Sequence, residues 1–554
     1  MARYATYEEL PGELKAKLAR YFTNPGGRTF CITGLPSELT GGALARYSRA
    51  KTGMQLTIIN EFLDENGEPS QEKGSALMDR VLNAFGDESV GELEGAHVGI
   101  EDVSQLLTKE IEDRRIGGSP IEQSTRYVKY DEQDAKGEWR YVRPREIMEG
   151  GHAAEYVAAC DQAFTVYAEL IKRLSDHFKQ ELPRSEYRVM VRRGGERLLL
   201  REEELENEEE RKAFRTAYAF TIRCAALDVG RCVLPASTKG NVGLFGNGRF
   251  FTNLLSHLKS SPLAECRERA EELEAELKKV IPTFIKRNAR REWVAARDER
   301  LFALAEELLP REEPERGADV TLAERASPEE GVVTSVLYPY TSLSYAQVLA
   351  TVKRMGRAAR HRVLDAYKGE RRSRRDRTGR ALEAGYPYTF DLIGTYAEYR
   401  DLQRHRMLTQ QRQLLGTSLG FFTPPEVRIA GMESEVAALV ARFEALHERL
   451  QREGLRHAAQ YATLFNHRIR WLMGMNLREL QHLTELRSQP QGHYGYRAIA
   501  MMMARLVIKR EPWTARFLQF VDYSDPGGKI ARAREQARIQ GKNLERGVAG
   551  DTDL

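Results

Sequence analysis

Two stretches of this sequence concentrate groups that grip anions. The first, Arg114–Tyr127, reads RRIGGSPIEQSTRY. Gly117 and Gly118 let a backbone approach a ligand, Ser119 and Ser124 supply hydroxyls, and Arg126 can clamp a phosphate with two parallel hydrogen bonds. Glu122 can accept from a sugar hydroxyl or a base edge. The second lies within Tyr386–Gln413, YPYTFDLIGTYAEYRDLQRHRMLTQQRQ, and carries Arg404-His405-Arg406 with Thr409 and Gln411 following. Two arginines around a histidine suit a diphosphate. Taken singly, each stretch also has the look of a polar connection or a solvated helix face with surface ion pairs.

Positioning these groups requires a frame, and helices dominate it. Helical spacing predicts helices over Asp102–Arg115, Gly151–Leu182, Glu208–Val229, Pro262–Leu309, Met432–Gly454 and Arg478–Leu486. Strand-like runs are shorter: Arg28–Thr33, Gln55–Ile59, Tyr187–Arg192 and Tyr386–Ile393. Asn60–Lys73 reads as a loop. Long helices with scattered strands and no regular βαβ alternation predict an α+β fold. A polar, proline-bearing segment over 309–331 is a linker candidate between residues 1–308 and 332–523, and 524–554 reads as a flexible tail.

Composition narrows the chemistry. A chain of 554 residues, 41% hydrophobic and 30% charged, is globular and too long for one ordinary core. No stretch reaches the ~20 consecutive apolar residues of a membrane helix, and a signal-peptide core is missing, so a soluble cytoplasmic protein without a membrane partner is expected. The net charge of +4 is mild. It suits a local pocket for an anionic small molecule better than a nucleic-acid surface. The densest basic run, Arg371–Arg380 (RRSRRDRTGR), lacks interleaved aromatics and reads as a solvated loop or a phosphate-facing edge. The five cysteines form no C-x-x-C pair and the histidines no H-E-x-x-H, so reduced thiols and no metal are expected.

Together the two anion-gripping stretches resemble the signature of the flavin-dependent thymidylate synthases (the ThyX family), R-H-R-x-x-S-x-N-x-x-S-x-R followed by Tyr. The first keeps Arg114, Ser119, Ser124, Arg126 and Tyr127, with Arg115, Ile116 and Ile121 replacing His, Arg and Asn. The second keeps Arg404, His405, Arg406 and, conservatively, Thr409, with Gln411, Leu414 and Gly416 replacing Asn, Ser and Arg. Flanking elements recur as well. Upstream stand Glu94 and His97 in one half, and Thr389-Phe390 fifteen residues before Arg404 in the other. Downstream stand Arg231 with Leu234-Pro235 and then Asn247-Gly248-Arg249, against Asn476, Arg478 and Arg487. The matched blocks, about a third of the chain, follow one order in both halves, as an internal duplication would.

The resemblance implies two tandem ThyX-like domains, each a mixed sheet with long flanking helices, forming an intramolecular pseudo-dimer. The first would carry an insertion over about 128–211, and two chains would pair into a pseudo-tetramer. It implies reductive methylation of dUMP to dTMP, with methylenetetrahydrofolate as carbon donor and NADPH reducing a bound FAD. No protein nucleophile is implied, because the cofactor carries the chemistry. By carry-over, Glu122, Ser124, Arg126, Tyr127, Arg231 and Arg487 would contact dUMP. Arg404, His405, Arg406, Thr409, Thr389, Asn247, Arg249, Asn476 and Arg478 would surround FAD. The alternative is a diverged relative that holds flavin or nucleotide without methyl transfer.

Overall fold

The computed structural model of this chain describes residues 4–48, 50–84, 92–114, 116–286, 292–371 and 378–525. Arg115, most of the Arg371–Arg380 run and the tail past 525 lie outside the described residues. The two halves pass through the same series of elements. In the second half these are a strand (Tyr388–Thr395), a helix (Tyr396–Leu402), a strand (Thr409–Arg412), a short helix (Pro425–Ile429) and a long helix (Glu433–Arg452). A 3-10 turn (Ala458–Ala462), a strand (Arg468–Met475) and two helices (Leu477–Arg487, Tyr494–Arg510) complete it. The first half repeats this with Gly95–Ser104, Gln105–Glu112, Gly118–Glu122, Arg145–Glu149 and Ala153–Glu181, then Arg231–Val233, Lys239–Asn247, Gly248–Lys259 and Ala264–Val280.

Local chemistry repeats too. Pro144 and Pro424 precede the short helices, extended residues from which a helix can start. Asn247 and Asn476 cap the helices that follow the last strands, accepting from the N–H groups of Phe250 and Glu479. Among the described residues, the second half has no counterpart of a hairpin, Val189–Arg193 with Glu196–Leu200, or of a 23-residue helix, Glu208–Gly230. The added elements thus lie after residue 182 and run up to Arg231, not over 128–211. The helices Arg145–Glu149 and Ala153–Glu181, counted as insertion from sequence, have counterparts in the second half.

The chain packs into two compact units. One comprises Met1–Val103, Leu107–Glu122 and Gly240–Glu292. Its N-terminal helices bury Leu39, Ala43, Ile58 and Met78 in one core. Its three-stranded sheet runs in the order Gly95–Ser104, Lys239–Asn247, Gly118–Glu122, and the burial alternates, so one face is open. The other unit comprises Ser104–Leu106, Gln123–Lys239 and Trp293–Leu554. Its four-stranded sheet runs Val320–Leu322, Tyr388–Thr395, Arg468–Met475, Thr409–Arg412, and its two central strands are buried nearly throughout. The short edge strand Val320–Leu322 lies inside the segment expected as a linker.

Within this second unit, equivalent residues of the two halves meet reciprocally. Ala236 N–H donates to the Thr463 carbonyl at 2.7 Å, and its counterpart Phe465 donates to Leu234, the counterpart of Thr463, at 2.9 Å. Pro235 and Leu464 bridge between them. Gln105 and Leu106 donate to Thr238 and Ala236, as Tyr396 and Ala397 donate to His467 and Phe465. Two copies of one segment exchanging identical bonds is the pattern of an isologous contact.

Several expectations change. Gln55–Ile59 is helical (Met54–Glu61), because a short apolar run buried on all sides carries no period to separate strand from helix. Arg28–Thr33 makes only an isolated bridge at Ile32. The long helix over Pro262–Leu309 is divided into Ala264–Val280, Pro282–Ile285 and Glu292–Leu308. Pro282 forces Ile281 out of the helical region, at φ −134° and ψ 55°. The helix expected from Asp102 starts at Gln105, because the strand runs through Ser104. Each sheet pairing with described register is antiparallel rather than mixed. No helix among the described residues is long and apolar enough to cross a membrane.

Candidate anion-binding site

The second unit gathers arginines from distant parts of the chain around one aspartate. Asp401 lies on the last turn of helix Tyr396–Leu402, a helix started by the Thr395/Glu398 capping box. Arg126 Nη1 stands 3.9 Å from Asp401 Oδ1, and Arg231 Nη2 stands 3.8 Å from Oδ2. Arg126 Nε also pairs with Asp228 Oδ1 at 3.1 Å. Burial by itself would raise the Asp401 pKa, yet Arg126, Arg231, Arg404 and Arg487 together hold it below the usual carboxylate range. Neighbouring Arg400 donates to Thr125 Oγ1 at 3.2 Å, tying the helix to the S-T-R-Y stretch.

Four arginines of the cluster act on the single carboxylate of Asp401. Arg231 is 3% exposed, and its pKa falls to about 10, through burial first and then repulsion by Arg126 and Arg400. It remains protonated at neutral pH, and its Nη2 is buried without a hydrogen bond. Burial likewise lowers the Arg487 pKa, with Arg404 adding repulsion. Tyr496 lies within side-chain hydrogen-bonding reach of both Arg126 and Arg487, and Tyr494 stands beside Arg231. Buried guanidinium groups that repel one another are stabilised by an added anion, and a phosphate offers acceptors for several of them at once.

His405 faces inward. Its Nδ1 lies 2.9 Å from Glu479 Oε1, and Arg487 Nε–H donates to its Nε2 at 3.0 Å. Because Nε2 accepts, the ring is neutral with its proton on Nδ1, consistent with a pKa lowered chiefly by burial. Arg404 and Arg406, on either side, are exposed. Thr409 Oγ1 donates to Glu383 at 2.6 Å, and Thr389 Oγ1 donates to the Tyr386 carbonyl at 3.3 Å. The Asn476 side chain is occupied by its cap, and Arg478 is exposed on the first turn that follows. Ser124 accepts from the Arg126 N–H at 3.2 Å, and the Tyr127 ring stacks on Phe220 at 5.9 Å.

Other expected residues belong to the first unit. Glu122 Oε2 is 2.6 Å from Lys109 Nζ, which lies 2.6 Å from Glu112 as well, all three nearly fully buried. Arg249 pairs with Glu92 at 2.7 Å, and Asn247 caps its helix. Gly117, at φ +81°, has no room for a Cβ against the Asn247 side chain, nor has Gly118 against Phe250. Both glycines therefore admit the neighbouring helix rather than a ligand. Ile116 and Ile121, where the motif has polar residues, are 85% and 74% exposed.

The structure thus brings Arg126, Arg231, Arg404 and Arg487 together around Asp401. Asp401, Asp228, Arg400 and Tyr494 complete the cluster and have no place in the motif. Asp401 stands three residues before Arg404, and Asp228 three before Arg231, so an acid one helical turn ahead of a signature arginine is the signal that could have found them.

The sequence profile of the family described as thymidylate synthase complementing protein matches residues 40–283 and 371–513. A UPF0159 protein of Chlamydia muridarum is 34% identical over 547 residues, covering 95% of this chain and 98% of its own. A UPF0159 protein of Thermoplasma acidophilum is 31% identical over 518 residues, covering 90% and 99%. Among solved structures, a UMP/dUMP methylase, PolB from Streptomyces cacaoi bound with 5-Br dUMP, shares 16% identity. It covers 45% of this chain and 88% of its own at a TM-score of 0.26, a likeness too slight to build on. The two matched segments each carry one part of the arginine motif, and this chain belongs to the thymidylate synthase complementing protein (ThyX) family.

Proposed function

We propose that this protein catalyses reductive methylation of dUMP to dTMP, with the Asp401 arginine cluster as the nucleotide phosphate site. The observation that carries the reading is the convergence of Arg126 and Arg231 from the first half with Arg404 and Arg487 from the second on one buried aspartate. Arg126, Arg231 and Arg487 would hold the 5′-phosphate, and Asp401 keeps them converged before the anion arrives. Tyr494 and Tyr496 would shape the wall of the site.

Arg404 and Arg406, exposed beside the cluster, fit the diphosphate of FAD. His405 and Thr409, engaged by Glu479 and Glu383, would fix the backbone between and just after those arginines rather than touch the cofactor. The flavin, reduced by NADPH, would supply hydride, and methylenetetrahydrofolate the carbon. The reciprocal bonds between Leu234–Ala236 and Thr463–Phe465 support two tandem domains acting as an intramolecular pseudo-dimer. Two such chains would form a pseudo-tetramer in the cytoplasm. Glu122, Asn247 and Arg249 act structurally in this reading.

A second reading, flavin or nucleotide binding without methyl transfer, draws support from the inward-held His405 and from the exposed Ile116 and Ile121. One experiment separates the two. The purified chain is scanned for flavin absorption while dUMP is titrated in, then assayed for tritium release from 5-tritiated dUMP with NADPH and methylenetetrahydrofolate. A flavin band perturbed by dUMP together with tritium release is the expected outcome. A perturbed band without release selects the second reading, and a colourless protein that ignores dUMP overturns both.

A further inference from the structure

The helix Glu208–Gly230, without a counterpart among the described residues of the second half, forms one wall of a cleft of about 920 Å³ in the second unit. Another wall is the face of helix Ala153–Glu181 bearing Lys172, Ser175 and Lys179, and Lys129 joins the lining. The lining is cationic: Lys129, Lys172, Lys179, Arg215 and Arg223 against Asp131 and Asp176. Local carboxylates engage three of these cations. Lys129 pairs with Asp131, Lys179 with Asp176, and Arg215 with Glu208. Among the described residues, Lys172 and Arg223 have no ion-pair partner. Arg223 Nε is buried without a hydrogen bond, and the guanidinium rests over the Phe220 ring at 5.6 Å.

We propose that this cleft is a second anion site, taking a small molecule that carries two or more closely spaced negative charges, with Lys172 and Arg223 as its principal grips. A buried guanidinium nitrogen without an acceptor is costly to maintain, and a carboxylate or phosphate oxygen supplies what it lacks. The cleft is open and lined by several cations, which suits a polyanion better than a single charge. The same helix links it to the arginine cluster. Phe220 stacks on Tyr127, next to Arg126, and Asp228 two turns along pairs with Arg126. Two sources share this chemistry, the γ-linked glutamate tail of a folate and the polyphosphate of a free nucleotide. Assignment to the folate tail rests on the proposed synthase reaction; the anion site does not.

Direct binding to the full-length protein tests it, without turnover. Titration calorimetry compares tetrahydrofolate triglutamate with the monoglutamate, and pyrophosphate with orthophosphate. The proteins are the wild type, the double variant Lys172→Gln/Arg223→Gln, the charge-keeping Arg223→Lys, and Arg126→Ala. The expected result is at least tenfold tighter triglutamate binding, lost in the double variant and kept in Arg223→Lys and Arg126→Ala. A pyrophosphate preference with the same dependence, and no preference for triglutamate, upholds the site and assigns it to phosphate. If neither polyanion is preferred, or the double variant binds both as well as wild type, the proposal is overturned. Retained cleft binding in a protein that ignores dUMP would sink the synthase reading alone, whereas dUMP binding without cleft binding would sink only this site.

Discussion

Two buried charge clusters, one in each compact unit, show how one family motif can diverge. In the first unit Lys109 sits between Glu112 and Glu122, each 2.6 Å away, with the carboxylates already closed on the cation. In the second, Asp401 sits among Arg126, Arg231, Arg404 and Arg487, and the arginines repel one another. Both are held by the helix that follows the first repeated strand. A cation whose counter-charges are in place has little to offer a phosphate, whereas guanidinium groups sharing one carboxylate do. The duplicated frame was retained, while the counter-charges gathered around its helix differ between the two halves.

The largest expected effect breaks the closed cluster. Lys109→Met removes the cation held between buried Glu112 and Glu122, a loss of about 3–5 kcal/mol for a broken buried pair. Thermal unfolding should begin well below wild type, and dUMP affinity of the folded fraction should be unchanged. A change confined to nucleotide affinity would restore Glu122 to the site. Next, Arg231→Ala should weaken dUMP by about 2–4 kcal/mol, roughly thirtyfold to a thousandfold, while the apo protein loses little stability because a mutually repelling cation has gone. Calorimetry and a melting curve on the same sample check both halves of that statement.

Glu94 sharpens the contrast from the pH side. Burial first, then the neighbouring Glu38, pushes its pKa up to about 8, and both carboxyl oxygens are buried without a hydrogen bond. A carboxyl whose folded pKa lies above its unfolded value contributes stability at acid pH, and that contribution is lost as pH rises toward 8. Glu94→Gln, which stays neutral, should match wild type near pH 4.5 and become progressively more stable than wild type as pH rises to 9. Equal melting temperatures at both pH values would remove Glu94 as a buried acid. The smallest effect concerns His405, whose folded pKa is lowered chiefly by burial. Its contribution is present above pH 6.5 and lost as pH falls through the folded value. Nucleotide affinity should therefore hold between pH 8 and 6.5, then decline as Arg487 loses its acceptor, and His405→Asn should flatten that decline.

Much of the frame was legible from residues alone. Ala153–Glu181, Glu208–Gly230 and Glu433–Arg452 carry long amphipathic periods, and their expected bounds lie within two residues of those observed. Gln55–Ile59 was not legible, because continuous burial erases the period that would mark a helix. The insertion was displaced because short motifs fix register only where they match, and nothing before Pro144 announces that Arg145–Glu149 repeats Pro425–Ile429. Of the site, the arginines could be named from their spacing. The acids between them could not, since an aspartate in a charged helix reads as a solvated ion pair until burial is known.

By itself the sequence determined the family, the doubling of its motif and the arginines each half retained, because these are properties of residue type and spacing along one chain. Only the tertiary structure decided which of those residues face one another. It turned His405 onto Glu479 and Arg487, gave Glu122 to Lys109, and set Asp401 among arginines from both halves. The reason is that a charge acts through distance and dielectric. Residues hundreds of positions apart share a field only once folding has removed the water between them.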